Sequence, residues 1–432
     1  MKKKIVIKYT LLFTFFFSVL LLFGQNNTDN IWNYGVSHAF RIGELPYRDY
    51  NSITTPLYQF IMSIGLFIYD SYLTFLVEQS ILCLFLFYII EKLVGKNVLF
   101  VFSLLLFPIF TFIFPNYNFL VMLLLFYLLY LEKNNKSDSL IGIVLGLLVL
   151  SKHTVGGSIL LFSLLATKNR RKASTRLLFS LIPMLIFLVY LLITKTFINF
   201  LDLCLFGLFD FAESNNYFSL LFTSIMIAFL VYTIYSFIKT KDITNYYLLP
   251  AFTLLLPIVD MFHSIYFIAF FIVIIFSKKP FINQRIPDIM GIIFMMVFLL
   301  CNFFAGSTYT HMYLSSNGHM KYLLCDKERK TYIKKVLKKY NSYNHAYMLS
   351  MYSMYFDIES NNKITYFDIP LYGNFGYKGL DKMKKKINDM HDTYFFILDS
   401  KNRQYINRIN KHVRNNTKYV DNIYDMEIYY KE

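Results

Sequence analysis

The run Ile5–Phe23, IVIKYTLLFTFFFSVLLLF, decides how the rest of the chain is read. It carries a single charge, Lys8, and follows Lys2, Lys3 and Lys4. Crossing a bilayer as a helix takes roughly 20 mostly apolar residues, and ~17 can suffice. A basic start and an apolar run also fit a signal peptide. The chain continues as Gly24-Gln25-Asn26-Asn27, however, with no small-residue cleavage pattern, and so reads as a retained anchor.

Working outward, similar stretches recur at about 72–90, 98–114, 118–131, 139–151, 154–167, 177–196, 217–238, 243–259, 262–277 and 286–305. The expected fold is an all-α polytopic membrane domain of about eleven spanning helices over residues 1–306. A small α/β extracytoplasmic domain is expected over 307–432. Composition agrees: 56% of the 432 residues are hydrophobic and 16% charged, with a mean hydropathy of +0.44. Soluble globular chains carry roughly 45–50% apolar and about 25% charged residues, so an ordinary cytosolic enzyme is excluded. The 47 Phe and 36 Tyr exclude disorder, collagen and coiled coil as well. Cys83, Cys204, Cys301 and Cys325 are too scattered for a disulfide framework or a zinc site.

The formal charge of +16 is split evenly across Gly306. Residues 1–306 hold 22 Lys+Arg against 14 Asp+Glu, and residues 307–432 hold 21 against 13. The first part is apolar and the second a conventional polar mixture, which places the domain boundary there. No nucleic-acid-binding module accompanies the charge, so no nucleic-acid partner is expected. With the amino terminus inside, alternate loops (the start with Lys8, 91–97, 132–138, 168–176, 239–242 and 278–285) hold eighteen Lys+Arg. The outward segments keep four: Arg41, Arg48, Lys152 and Lys195. The positive-inside rule then predicts a multi-pass plasma-membrane protein, amino terminus in and carboxyl-terminal domain out, in contact with membrane lipids.

Two outward segments stand out. In Gln25–Thr55, Ile31–Ile42 is amphipathic enough for a surface helix, and Pro56–Tyr69 is short enough for a re-entrant or interfacial one. Phe197–Asn216 sets Asp202, Asp210 and Glu213 among Phe and Leu, to line a cavity or to form a solvated loop. Glu78 and Gln79 lie inside a span, where pairing between helices is the usual role.

Three interruptions of the apolar pattern carry candidate chemistry. Gly43-Glu44-Leu45-Pro46-Tyr47-Arg48-Asp49-Tyr50, followed by Thr54-Thr55-Pro56, holds a carboxylate at the outer surface. There Asp49 serves either as a general base on an acceptor hydroxyl or as half of a solvated pair with Arg48 that orders the turn. In Ser151-Lys152-His153-Thr154, Lys152 and His153 either hold a phosphate or mark a lysine that snorkels to the interface. In Asp260-Met261-Phe262-His263 the two polar groups share a helix face; they orient a substrate, ligate a metal or, for Asp260, cap a helix. All three fall on the outward side under an orientation fixed by other residues. No P-loop, GxGxxG, HExxH or GxSxG motif is present.

At these residues the chain resembles the GT-C superfamily of polytopic glycosyltransferases, in particular bacterial members related to protein O-mannosyltransferases and aminoarabinose transferases. The matching elements are Gly43…Pro46-Tyr47-Arg48-Asp49…Pro56, Lys152-His153-Thr154 with Gly156, and Asp260…His263. The resemblance implies a polyprenyl-phosphate-linked sugar as donor and a glycan, lipid or protein acceptor at the outer face. It implies Asp49 as the catalytic carboxylate, and Lys152, with Arg48 and His153, near the lipid phosphate. Glu44, Asp260 and His263 are further substrate-binding candidates. The family often pairs its first acid with a second; here Tyr50 follows Asp49 and Glu44 lies five residues before it. No metal ligand set is assigned, and a divalent metal is the one cofactor left open. A transporter or flippase of lipid-linked glycans and a polysaccharide polymerase or ligase are the alternatives.

In the tail, Ile333, Val336, Leu337 and Tyr340 recur at helical spacing, as do Leu380, Met383, Ile387 and Met390. Tyr347–Tyr355, Ile364–Ile369 and Tyr394–Leu398 read as strands, and Gly373–Gly376 as a turn. Asp357, Asp368 and Asp399 are expected to start turns at strand ends.

Overall fold

An apolar run in a medium without water can satisfy its backbone N–H and C=O groups only within itself, which favours the helix. The computed structural model describes residues 2–432 apart from 24–27, 113–114, 168, 215–219, 241–242, 257–260, 279–284, 308–311, 314–317, 322, 326, 352, 361–369 and 401–403. It is mostly helical, with a small mixed sheet. The helices of the first part are α1 (Lys2–Phe23), α2 (Thr28–Arg41), α3 (Leu57–Ser63), α4 (Tyr72–Val94), α5 (Val98–Phe112), α6 (Tyr117–Lys133), α7 (Asp138–Ser151) and α8 (His153–Ala166). They continue as α9 (Arg170–Ile193), α10 (Phe197–Phe200), α11 (Gly207–Ser214), α12 (Leu220–Thr240), α13 (Ile243–Ala251), α14 (Met261–Lys278) and α15 (Arg285–Ser307).

Among the described residues a helix lies within each of the eleven apolar stretches; α13 is short and ends in a 3-10 turn, Phe252–Leu255, after Pro250. Helices α2 and α3 form where short helices are expected, but α2 is no surface helix: Ile31, Asn33, Tyr34, Val36, Ser37 and Ala39 are buried, because α3 and the tail pack over it. Among the described residues three segments are long and apolar enough to cross a membrane: Lys3–Leu22, the α4–α5 segment Tyr72–Leu105, and Arg170–Ile193. Large apolar side chains such as Leu178, Ile186 and Ile193 on α9, Val231 and Ile238 on α12, and Ile286 and Ile293 on α15 are exposed. Water would be a poor solvent for such faces, and lipid a good one. Helix starts are capped as the residue types dictate: Ser71 accepts from Thr74 N–H, Asn116 from Asn118 and Phe119 N–H, Ser137 from Leu140 N–H, and Asn169 from Arg171 and Lys172 N–H.

Helices α7 and α9 pack closely. Gly142 and Gly146, four apart, lie on one face of α7, and a Cβ there would sit 2.5 Å from Arg176 O and 2.3 Å from Ser180 O. Two backbones approach this closely only across glycine. Arg176 itself is buried. Its Nη1 and Nη2 donate to the two oxygens of Glu132 at 2.6 and 3.1 Å, Nε donates to Asp138 at 2.7 Å, and Nη1 also donates to Ser163 Oγ at 2.9 Å. Tyr247 donates to the same Glu132 at 2.6 Å. One guanidinium thus joins α6, α7, α8, α9 and α13. Nearby loops are tied in the same manner: Lys8 pairs with Glu91, and Lys133 donates to Leu93 O and Ser277 O at 3.0 and 3.3 Å. These contacts join residues from loops that the charge count assigns to a single side.

Glu78 and Gln79 pair between elements as expected. Glu78 accepts from Gly65 N–H at 2.6 Å, while Gln79 Nε2 donates to Asn30 Oδ1 at 2.6 Å and Pro115 O at 2.8 Å.

The tail contains α16 (Lys327–Tyr340), α17 (Ser353–Glu359), α18 (Gly379–Asp389) and α19 (Gln404–Asn416), with a short antiparallel pair, β1 (Met312–Tyr313) and β2 (Leu324–Cys325). The main sheet comprises β3 (Ala346–Leu349), β4 (Thr393–Ile397), β5 (Lys418–Ile423) and β6 (Met426–Lys431) in the order β3-β4-β6-β5. Strand β3 runs parallel to β4, and the other pairs are antiparallel. The helices at 333–340 and 380–389, the strand at 394–397 and the turn at 373–375 form as expected.

The strand expected over Tyr347–Tyr355 ends at Leu349, and the chain turns into α17. The reason is a docking face: Met354 and Ile358, one helical turn apart, pack so tightly on Gly35 of α2 that a Cβ there would lie 2.3 Å from Met354 Sδ. Buried Asp357 accepts from Tyr340 OH at 3.0 Å instead of starting a turn, and Asp399 accepts from Arg414 at 2.9 Å and from Asn410 at 2.9 Å. The Ile364–Ile369 strand and Asp368 lie outside the described residues.

These contacts set three outcomes for stability in detergent. Gly146→Ala will destabilise by about 1–3 kcal/mol through overpacking. Gly157→Ala, where a Cβ meets nothing within 4 Å, will be neutral or stabilising by up to ~1 kcal/mol from helix propensity. Thermal unfolding of the two variants side by side checks the opposite signs. Arg176→Met, which strands the Glu132 carboxylate, will cost about 3–5 kcal/mol, and adding Glu132→Gln will restore part of it; the same measurement on the single and double variants reads this out.

Candidate functional site

The loop after α2 is shaped by its own backbone. Gly43, at φ +87°, ends the helix: Gly43 N–H returns to Phe40 O and Glu44 N–H to Ala39 O. A non-glycine residue at that φ is strained, which is the reason for glycine at this position. The chain then closes on itself over Leu45–Tyr50. Asp49 N–H donates to Leu45 O at 2.9 Å and Tyr47 N–H to Tyr50 O at 2.9 Å, with Tyr47 itself at φ +67°.

Asp49 is the side chain on which this turn is built. Its Oδ2 accepts from Leu45 N–H at 2.8 Å, and its two oxygens accept from Arg48 Nε at 2.9 Å and Nη2 at 2.7 Å. The ordering role and the Arg48 pairing weighed from sequence are therefore both present. The carboxylate is nonetheless 30% exposed, whereas Glu44 is buried at 4%. Of the two acids only Asp49 is open to a molecule arriving at the surface.

Segments distant in sequence hold the loop from beneath. Asn199 Nδ2 donates to Tyr47 O at 2.8 Å, Tyr190 OH to Pro46 O at 3.5 Å, and the Cys204 thiol to Ser52 O at 3.4 Å. Tyr47 OH donates to Thr54 O at 2.8 Å, and its ring stands edge-on to Phe200. Cys204 sits in a π-helical turn, Leu201–Phe206, a wound form common beside functional sites. Burial pushes its thiol up to about 12, so at neutral pH it is a neutral packing group and not a nucleophile. Burial, with Cys204 next to it, likewise pushes the Tyr47 phenol well above its ordinary range.

The same loop reaches the second candidate. Thr55 Oγ1 donates to Leu150 O, two residues before Lys152. Lys152 is the extended residue between α7 and α8, at φ −153° and ψ 102°. Its Nζ donates to Leu254 O in the 3-10 turn after α13, at 3.4 Å. His153 opens α8 and is half-buried; His263 lies in the first turn of α14 and is also half-buried. Asp260 lies outside the described residues. The structure therefore brings together the Asp49 loop, the Lys152 turn and the Leu201–Phe206 segment.

Asp202 and Asp210, read as cavity-lining or solvated acids, are half-exposed and also hold the tail. Asp202 pairs with Lys382 and accepts from Tyr377 N–H at 3.2 Å, and Asp210 accepts from Gly379 N–H at 3.1 Å. They bind the start of α18 and so join the tail to the segment that carries Asn199 and Cys204. The side chain of Glu213 is outside the described residues. Asn199, Tyr190 and Cys204 have no sequence signal that would single them out, since a polar residue in an aromatic run looks like any interfacial one. Compared with protein-family models, curated proteins and solved structures, the chain finds no match.

Proposed function

We propose that this chain is a membrane glycosyltransferase of the GT-C kind, moving a sugar from a polyprenyl-phosphate donor to a glycan, lipid or protein acceptor at the outer face of the plasma membrane. About eleven helices span the bilayer, with the amino terminus inside and the tail outside. The observation that carries the proposal is the junction at one end of the bundle: a rigid turn presenting the Asp49 carboxylate is pinned, through Thr55 and Leu150, to the chain two residues from Lys152.

The chemistry requires opposite charges held apart. As the sugar–oxygen bond breaks, negative charge grows on the departing lipid phosphate, and Lys152, with His153 beside it, stabilises that charge. Asp49 accepts the proton of the acceptor hydroxyl. Arg48, 51% exposed, holds Asp49 in place until an acceptor arrives, and its guanidinium then turns to the donor's phosphate.

The test uses purified full-length protein with a polyprenyl-phosphate sugar, scored by chemical release of the lipid phosphate. Asp49→Asn keeps an oxygen able to accept from Leu45 N–H, so the turn survives. The variant will lose activity by about 10²–10⁴-fold, the usual worth of a positioned acid–base group. Protein level and membrane insertion will be unchanged. Full activity in this variant would remove Asp49 from the mechanism, and movement of the intact lipid-linked sugar across vesicles without its release would favour a flippase.

A further inference from the structure

Three residues from different parts of the chain, none of them in the Asp49 turn, converge. His38 is on the last turn of α2, Asp70 precedes α4, and His319 belongs to the tail; one ligand-type atom of each lies within 4.8 Å of the others. Both imidazoles face Asp70, and His319 Nδ1 also lies 3.1 Å from its main-chain oxygen. Asp70 Oδ2 is 2.8 Å from His38 Nδ1 and 3.6 Å from His319 Nδ1, and the two rings stand 4.8 Å apart, tilted by 55°.

The surroundings hold these groups in place. Tyr34 OH donates to the other Asp70 oxygen at 3.3 Å, which turns Oδ2 toward the histidines. Tyr72 N–H donates to His319 O at 2.9 Å. Gly318, at φ +105°, starts the turn that aims His319, and the Glu359 carboxylate fixes it by accepting from Met320 N–H at 2.7 Å. His38 and Asp70 are buried, and His319 is the side open to solvent.

We propose that His38, Asp70 and His319 form a binding site for a divalent transition-metal ion of the zinc type, which fastens the tail to α2 and to the start of α4. A tetrahedral ion with ligands at about 2.0–2.2 Å sets neighbouring ligand atoms about 3.3–3.6 Å apart. The His319–Asp70 separation of 3.6 Å meets that spacing, and the His38–Asp70 separation of 2.8 Å opens by under 1 Å to reach it. Two imidazoles and a carboxylate suit zinc better than magnesium or calcium, which prefer all-oxygen shells. The ion takes the place of the protons these nitrogens share with Asp70. Arg41 Nε, 3.6 Å from the same oxygen and 42% exposed, turns out to solvent. A water or an external ligand fills the fourth position beside His319. This site is independent of the transferase reading, and its test measures no transfer.

Full-length protein in detergent, stripped with a chelator, is titrated with Zn²⁺ against a chromophoric competitor and with Co²⁺ as a spectroscopic probe. One equivalent per chain is expected, with a tetrahedral Co²⁺ band and no thiolate charge-transfer band. His38→Gln, Asp70→Asn and His319→Gln will each weaken binding by at least about tenfold, whereas His391→Gln, at an exposed position elsewhere in the tail, will not. Zn²⁺ will raise the unfolding temperature of the wild type and not that of His319→Gln, whose own cooperative transition shows that it is folded. Sub-stoichiometric uptake by the wild type, a thiolate band, or unchanged affinity in the three variants would each overturn the site and leave a hydrogen-bonded His–Asp–His cluster. Should a variant fail to fold, wild-type stoichiometry and the Co²⁺ spectrum decide the matter alone.

Discussion

The buried guanidinium of Arg176 is the constraint around which the bundle is arranged. A charge removed from water must be met by charge and by hydrogen bonds, or it will not stay buried. Arg176 is met by Glu132 through both oxygens, by Asp138 and by Ser163, with Tyr247 on the remaining side of Glu132. Those partners come from four other helices, so satisfying one side chain fixes the mutual placement of five. The glycine face of α7 makes this possible. Without Gly142 and Gly146, α9 could not come close enough for Arg176 to reach Glu132 and Asp138.

The other junction is assembled differently. There the Asp49 turn, the end of α7, the Leu201–Phe206 segment and the tail are joined by main-chain acceptors and single side chains rather than by a buried ion network. The order of contacts is informative. The tail grips Asp202 and Asp210, the same segment grips Tyr47 and Ser52, and that loop presents Asp49. A displacement of α18 would therefore be felt at the carboxylate through two sets of hydrogen bonds.

How much of this was legible in the sequence depends on the range of the interaction. The helices, their caps and the glycine-ended turn at Gly43 rest on residues within a few positions of one another, and periodicity and residue type expose them. Gly142 and Gly146 also carry a visible spacing, although a count of hydropathy passes over it. The pairing of Asp202 with Lys382 spans 180 residues, and the approach of His319 to Asp70 spans 249. No local pattern encodes such contacts. The misreading of α17 has a similar origin: Met354 and Ile358 are helical because of Gly35, more than three hundred residues earlier. Length alone does not decide which apolar helices cross a bilayer, since among the described residues three segments meet that criterion and several other helices are shorter.

The contrast between the two junctions bears on the choice between transferase and transporter. Alternating access requires a site that opens first to one side and then to the other, with bundles rocking about it. Opening between α6, α7, α9 and α13 would pull Arg176 from Glu132 and leave two charges unpaired, at about 3–5 kcal/mol or more. That cost, added to the Lys8–Glu91 pair and the Lys133 contacts, opposes rocking at that junction. The Asp49 junction holds no such buried ion network among the described residues: its carboxylate is 30% exposed, while Tyr47, Ser52, Thr55 and Cys204 around it are buried. A bundle that the Arg176 network holds against rocking, with an exposed carboxylate at Asp49, suits the proposed transfer on one side of a membrane better than it suits a flippase.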